Sequence, residues 1–400
     1  MEKDLKSKTV ARLERLVVGL GQPKYIAGYI FSAIQARGVT DISAITTLSK
    51  SLRAKLVEEG YYISQLKVAD KLTDPDGTVK YVFGLPENRF TAEHAETAEK
   101  NHKKDSANSA VSAVNHIESV LLFDDNRRTL CVSTQVGCAM GCVFCATGRL
   151  GLARNLTAGE IVDQVNIVEA DGCGCDARLV KRRTLNATDT SRATERRITN
   201  VVFMGMGEPL ANYDAVLDAV RILNNSAGTN IGIRHLTIST CGLIEGIERL
   251  AGEDIQPRLA ISLNAPTDAI RRKLMPIAKK YPMDRLFAAI GRYQRTTRNR
   301  VTFEYCLIKG VNDTSLHARM LVKRLRGIMC NVNLIEYNPP EPRGVQGGSE
   351  PHAVHCGLKS SGRQAIERFA GVLKGAGIET TIRLKMGQTI NAACGQLGTR

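Results

Sequence analysis

The apolar positions change period along the chain. Up to about residue 60 they recur at helical spacing, as in YIAGYIFSAIQARGV and LSKSLRAKLVEEG, with Ser49 and Ser51 as candidate caps of the second segment. Asp74 to Leu85, DPDGTVKYVFGL, then reads as a turn at Asp76-Gly77 feeding a β-rich run. Thr91 to Asn115 is polar and almost free of large apolar side chains, so it reads as an insertion. From residue 131 onward, strand-like runs alternate with amphipathic helical ones. CVSTQ precedes AGEIVDQVNIVEA, NVVFMGMG precedes NYDAVLDAVRILNN, and HLTIST precedes LIEGIERLAG. PRLAISLNA leads to PMDRLFAAIGRYQRT, VTFEYCLI to LHARMLVKRLRG, and NVNLIEYN to GRQAIERFAGVLKGAG. Six such units call for a parallel sheet with right-handed crossovers, hence an α/β fold. They suit a partial barrel with its site at the C-terminal ends of the strands; a doubly wound open sheet is the alternative.

The expected organisation is a helical N-terminal accessory domain (1–60) and a β-rich connector (61–118) carrying the polar insertion 91–115. A partial β/α barrel (119–385) follows, interrupted by loop-like insertions at 171–197 and 339–361, and a C-terminal tail (386–400) closes the chain.

Composition narrows the setting. No apolar run approaches the roughly 18 residues that span a bilayer, and MEKDLKSKTVARLERL is too charged for a signal peptide, so a cytosolic protein without a membrane partner is expected. Lys and Arg number 55 against 40 Asp and Glu, a net +15 that favours a polyanionic partner. The imbalance peaks in Arg271–Arg300, with ten basic residues against one Asp, a density able to follow a phosphate backbone; solvated helix faces are the alternative. Lys181–Arg183 extends the basic surface. Eleven cysteines in a reducing compartment point to metal or redox chemistry rather than disulfides.

Three of them, Cys138, Cys142 and Cys145, stand at C-x3-C-x2-C spacing in GCAMGCVFCATG. Three thiolates suit a four-iron cluster that leaves one iron open to a small ligand. A closed zinc site would need a fourth ligand, from Cys131, Cys173 or Cys175. In GMGEP, glycines let the backbone approach a ligand, and Glu208 offers a carboxylate to an ammonium group. Ser239, Ser262 to Asn264 and Asn338 likewise end predicted strands, so their polar groups converge on one barrel mouth.

The cysteine motif after the first barrel strand resembles the radical S-adenosylmethionine (SAM) superfamily. TLCVSTQVGCAMGCVFCATG, FMGMGEPLANY, LAISLNAP, EYCLIKGVND, NLIEYNPP and INAACGQL together resemble the RlmN family of radical SAM dual-specificity 23S rRNA/tRNA adenine C2 methyltransferases. Its sister Cfr, which methylates C8, shares much of this vocabulary. The resemblance implies a partial (βα)6 radical SAM barrel with a [4Fe-4S] cluster on Cys138, Cys142 and Cys145. It implies SAM contacts from Gly207, Glu208, Ser239, Ser262, Leu263, Asn264 and Asn338, and two SAM molecules per turnover. Adenine C2 is electron-poor and unsuited to direct polar methylation. By resemblance, Cys394 takes a methyl from one SAM, a radical generated from a second removes a hydrogen from it, and the resulting carbon radical adds to the adenine. Cys131 then resolves the protein–RNA bond by a disulfide with Cys394, and Glu118 is the proton acceptor. Asn264, Lys385 and Thr389 stand where the family usually has histidine, arginine and aspartate. The implied partners are 23S rRNA, tRNA or both, presenting a flipped adenine, and an electron donor such as flavodoxin or ferredoxin. A Cfr-like C8 methyltransferase is the near alternative. A zinc-stabilised, non-catalytic RNA-binding protein and a radical SAM enzyme acting on peptides or small molecules are the more distant ones.

Overall fold

The computed structural model describes residues 3–85, 116–124, 127–172, 197–339, 357–383 and 385–398. The insertion 91–115, most of 171–197 and of 339–361, and with them Cys173, Cys175 and Lys181–Arg183, lie outside the described residues.

Helices α1 (Val10–Gly19), α2 (Ile26–Gln35) and α3 (Lys50–Glu58) open the chain. Thr9 and Ser49 cap the first and third, accepting from Arg12 N at 3.4 Å and Leu52 N at 3.2 Å. Ser51 does not cap; its hydroxyl meets that of Ser49. These helices dock on the barrel through a buried polar hub. Asp4 accepts from the hydroxyls of Ser7 and Ser64 at 2.7 and 2.8 Å, and Lys6 pairs with Asp163 at 2.5 Å, both side chains being buried. Gly159 is required at this contact, because a Cβ there would lie 2.4 Å from an Asp4 oxygen.

Strands β1 (Lys67–Thr73), β2 (Val79–Gly84) and β3 (His116–Asp124) run antiparallel to one another and deliver β3 antiparallel to β4 (Arg127–Cys131). A separate hairpin, β5 (Gln135–Cys138) and β6 (Gly151–Asn155), encloses helix α4 (Ala146–Arg149). The barrel continues through α5 (Ala158–Ala170), β7 (Asn200–Phe203), α6 (Tyr213–Asn224), β8 (Leu236–Thr240), α7 (Ile244–Ala251) and β9 (Arg258–Ser262). Then come α8 (Asp268–Leu274), α9 (Met283–Thr297), β10 (Val301–Leu307), α10 (Ser315–Leu325), β11 (Cys330–Glu336), α11 (Arg363–Gly375) and β12 (Glu379–Ile382). The sheet order β1-β2-β3-β4-β7-β8-β9-β10-β11-β12 makes β4 and everything after it parallel.

The six strands read from the sequence are all present, and β12 adds a seventh. Its sequence ETTI hides it, because an edge strand with two exposed positions has no apolar run to display. The first strand lies earlier than CVSTQ. It ends at Cys131, because Ser133 and Gln135 leave the ladder to serve Met206 and Glu208, whose backbone amides their side-chain oxygens accept.

Strand β10 shows how the sheet separates its two faces. Phe303, Tyr305 and Leu307 are fully buried against the helices, with Phe303 stacked on Phe287 and Tyr305 packed on Phe369. Burying each such ring stabilises the layer by roughly 1.5–3 kcal/mol. Thr302, Glu304 and Cys306 alternate onto the other face, where Thr302 meets Asn331 at 3.1 Å and Asn333 donates to Glu304 at 2.8 Å. The helix side is therefore aromatic and the inner side polar, as a ligand-binding barrel requires.

Candidate active site

All parallel strands end on one side of the sheet, so the loops after them share one mouth. The cysteine loop lies there. At Gly137, which has φ +75°, a Cβ would fall 1.9 Å from Gly151 O, so only glycine lets the β5–β6 hairpin close. Cys145 N donates to Cys142 O at 3.1 Å, and Val143 N donates to Leu274 O at 3.0 Å, seating the loop on α8. Burial pushes the Cys138 thiol up to about 12 and the Cys142 thiol up as well, and the three cysteines repel one another further. They are thus neighbours. Three thiolates on one loop can each take a different iron, so these cysteines are the residues that would hold a cluster. Cys131, at the end of β4, is half-buried and feels the charge of Cys394.

Beside them, Gly207 has φ +106°, and a Cβ there would lie 2.6 Å from Gln135. Glu208 is buried, with Oε1 accepting from Leu210 N at 3.0 Å and Oε2 from Cys241 N at 2.7 Å. Burial raises its pKa against those bonds, a state that a ligand ammonium would relieve. Ser239 is the penultimate residue of β8, Ser262 closes β9, and Asn338 follows β11 at the same mouth. Leu263 and Asn264 follow β9 at the same mouth. The Leu263 side chain is fully buried in the core, leaving only its backbone. The Asn264 side chain accepts at Oδ1 from Cys306 N at 2.8 Å, and its Nδ2 donates to the Met275 sulfur at 3.5 Å. Its φ of +57° explains an asparagine at this position, since that residue tolerates the left-handed region.

The tail is clamped on both sides of Cys394. Before it, Thr389 donates from N and Oγ1 to Asp74 at 2.8 and 2.7 Å, Gly387 N donates to Asp76 at 2.8 Å, and Lys385 pairs with Glu336 at 2.8 Å. After it, Gly395 O accepts from Ala146 N at 2.7 Å, and Leu397 O accepts from Thr147 at 2.7 Å. The Lys385 and Thr389 departures are therefore absorbed by Glu336 and Asp74. Cys394 is an exposed residue whose thiol is set among protein groups, and their desolvation raises its pKa. Glu304, Arg383 and Cys145 are the charge neighbours that act on it.

Glu118 is fully buried rather than a surface residue beside an insertion. Gly398 N donates to its Oε2 at 3.1 Å and Lys80 lies 3.7 Å away, while Oε1 has no hydrogen bond. It shares a face of β3 with Val120, the residue paired with Cys131. Of the basic run, Arg271 is fully buried and so leaves the RNA-facing set; its other nine basic residues are exposed. Sequence reasoning missed Gln135, Asp74, Glu304 and Arg271 as site neighbours. Only Asp74 had left a signal, in the turn DPDG.

Asp74 sets an expected pH dependence. Burial alone would raise its carboxyl, but hydrogen bonds from Asp76 and Thr389 win and hold it below the ordinary range. A depressed folded value stabilises above the unfolded pKa of about 3.9 and is lost as pH falls through the folded value. Protection of residues 387–398 in hydrogen exchange should therefore hold above about pH 4 and fade below it. Asp74→Asn should weaken it at neutral pH by on the order of 1 kcal/mol, the shallow site discounting the usual value for charged hydrogen bonds. An unchanged tail in that variant refutes the anchor.

A parallel barrel with a three-thiol loop and a Gly-Glu cradle at its mouth defines a radical SAM enzyme. The superfamily profile, described as Radical SAM superfamily, matches residues 173–320, beginning after the cysteine loop. The chain belongs to the RlmN family of dual-specificity RNA methyltransferases. It is 40% identical over 399 residues to the probable dual-specificity RNA methyltransferase RlmN of Alkaliphilus oremlandii, covering 99% of this chain and 98% of that one. It is 39% identical to the RlmN of Syntrophotalea carbinolica, covering 98% and 89%. The crystal structure of a radical SAM methyltransferase from Sphaerobacter thermophilus superposes with a TM-score of 0.78 at 38% identity over 100% of both chains. No described helix is long and apolar enough to cross a membrane.

Proposed function

We propose that this enzyme methylates C2 of an adenine in structured RNA, 23S rRNA and tRNA, using Cys394 as the methyl carrier and Cys131 as the thiol that releases the product. The observation that carries this reading is the clamped tail. It holds Cys394 within electrostatic range of both Cys131 and Cys145. Cys138, Cys142 and Cys145 would hold a [4Fe-4S] cluster, which with a flavodoxin or ferredoxin as donor would supply the electron for reductive cleavage of one SAM, a second SAM being the methyl source.

The chain's own residues do the rest. Glu208 and the Gly205–Gly207 backbone seat the amino acid end of SAM, with Ser239, Ser262 and Asn338 around it. Burial keeps the Cys394 thiol protonated, and a cation brought beside it would draw it back toward the nucleophilic thiolate. Oε1 of Glu118, buried and without a hydrogen bond, is the acceptor assigned to the proton that leaves the target carbon. The exposed basic residues between Arg272 and Arg300 hold the phosphate backbone while one base is flipped into the mouth.

The test is nucleoside mass spectrometry after anaerobic turnover with SAM, reductant and either 23S rRNA or tRNA. 2-Methyladenosine is the expected product. 8-Methyladenosine would convert the reading to Cfr-like chemistry, and methylation of neither RNA would end it.

A further inference from the structure

Arg271 is the largest of the fully buried side chains among the described residues. Its guanidinium donates to three backbone carbonyls, Nε to Leu263 at 3.3 Å, Nη1 to Tyr281 at 3.4 Å and Nη2 to Cys241 at 2.5 Å. All three acceptors are neutral. Among the described residues no carboxylate stands within ion-pair distance of it. Asp268, the carboxylate whose charge reaches it, accepts from Met283 N at 2.9 Å instead. A desolvated positive charge without an anion is costly, and replacing it by an apolar residue of similar size would ordinarily do no harm.

The anion it lacks has an evident source. Arg271 lies on α8, and that helix ends at Leu274, whose carbonyl receives Val143 N of the cysteine loop. Besides Asp268, the groups acting electrostatically on Arg271 are the thiols of Cys241 and Cys142. Cys142 packs in the same small apolar cluster as Cys241, Leu274 and Met275. Three thiolates around iron make the assembled site anionic, and such a charge meets a guanidinium across a poorly screened interior.

Resting on the reading that Cys142 holds iron, we propose that Arg271 is the fixed counter-charge of the iron–sulfur site, raising the potential at which that site accepts an electron. Reduction adds one negative charge, so a nearby fixed cation stabilises the reduced state more than the oxidised one. Arginine suits the task because it stays charged at any physiological pH, where a buried lysine is prone to lose its proton. The competing account makes Arg271 a strap that only ties together the carbonyls of residues 241, 263 and 281. The two accounts differ in what a neutral replacement does to a potential.

Wild type, Arg271→Gln, Arg271→Met and Arg271→Lys are each reconstituted anaerobically with iron and sulfide, assayed for iron, and titrated by EPR at controlled potential without SAM or RNA. At one fixed potential the ratio of reduced to oxidised cluster should fall about tenfold or more in whichever neutral variant loads iron, while the lysine variant stays near wild type. An unmoved ratio in a fully loaded neutral variant overturns the proposal. Loading by the lysine variant alone would support it, since lysine keeps the charge without reproducing the carbonyl strap. Failure of all three to load would assign Arg271 to the fold and overturn it. Wild-type protein that binds no iron fails the reading of Cys142 itself, before any variant is compared.

Discussion

Cys394→Ala is expected to abolish RNA methylation, by on the order of 10^4-fold or more, while leaving a folded protein with its cluster intact. The contacts that hold the tail do not use the thiol. Ala146 N reaches the Gly395 carbonyl, Thr147 reaches the Leu397 carbonyl, and Asp74 holds Thr389. Removing the Sγ of this exposed residue should therefore change stability by no more than about 0.5 kcal/mol. What disappears is the atom proposed to carry the methyl group. Intact-protein mass spectrometry gives the mechanistic readout: wild type incubated with SAM under reductant gains a methyl on the peptide containing Cys394, and the variant gains none. Reductive cleavage of SAM should persist in the variant, because the cluster loop is untouched. Retained methylation of RNA would mean that the methyl reaches adenine without a protein carrier, and the role given to the tail would have to be withdrawn.

That outcome depends on a site whose parts differed greatly in how openly the sequence showed them. The alternation of VTFEYCLI with amphipathic helices exposed the parallel strands, because a barrel strand packs aromatic residues against helices and so displays an apolar run. The same alternation concealed Glu304, which looks like a polar interruption of the strand and proves to be part of its inner face. The cysteine loop was legible because its ligands are adjacent in sequence. The tail anchors were not, since Asp74 and Thr389 are separated by 315 positions and neither carries a local pattern beyond a turn. Arg271 shows the opposite error. A run of like charges reads as surface, and nothing in the sequence distinguishes the one member that turns inward among three carbonyls. Charge density locates an electrostatic surface, whereas the assignment of each charge to water or to the interior follows from packing.

Cys131→Ala is expected to stop the reaction later than Cys394→Ala does, and in a visibly different state. Cys131 closes β4, pairs across to Val120 on the strand that carries Glu118, and feels the charge of Cys394. Its thiol is pushed up by burial first and by Cys394 next, so it is not a nucleophile that reacts indiscriminately at neutral pH. Once the methyl-derived carbon joins Cys394 to adenine, release requires the Cys394 sulfur to leave that carbon. A disulfide with Cys131 provides this, the two sulfurs becoming oxidised as the carbon–sulfur electrons pass to the product. With alanine at 131, addition can proceed and release cannot. Free 2-methyladenosine should fall at least about 10^3-fold, while a protein–RNA species that survives denaturing electrophoresis and disappears on nuclease treatment should accumulate. The double variant Cys131→Ala/Cys394→Ala should form no such species, which separates covalent capture from tight binding. If Cys131→Ala turned over normally with no adduct, another group would have to resolve the intermediate; Cys306, the remaining thiol on which Cys394 acts, is the first to test.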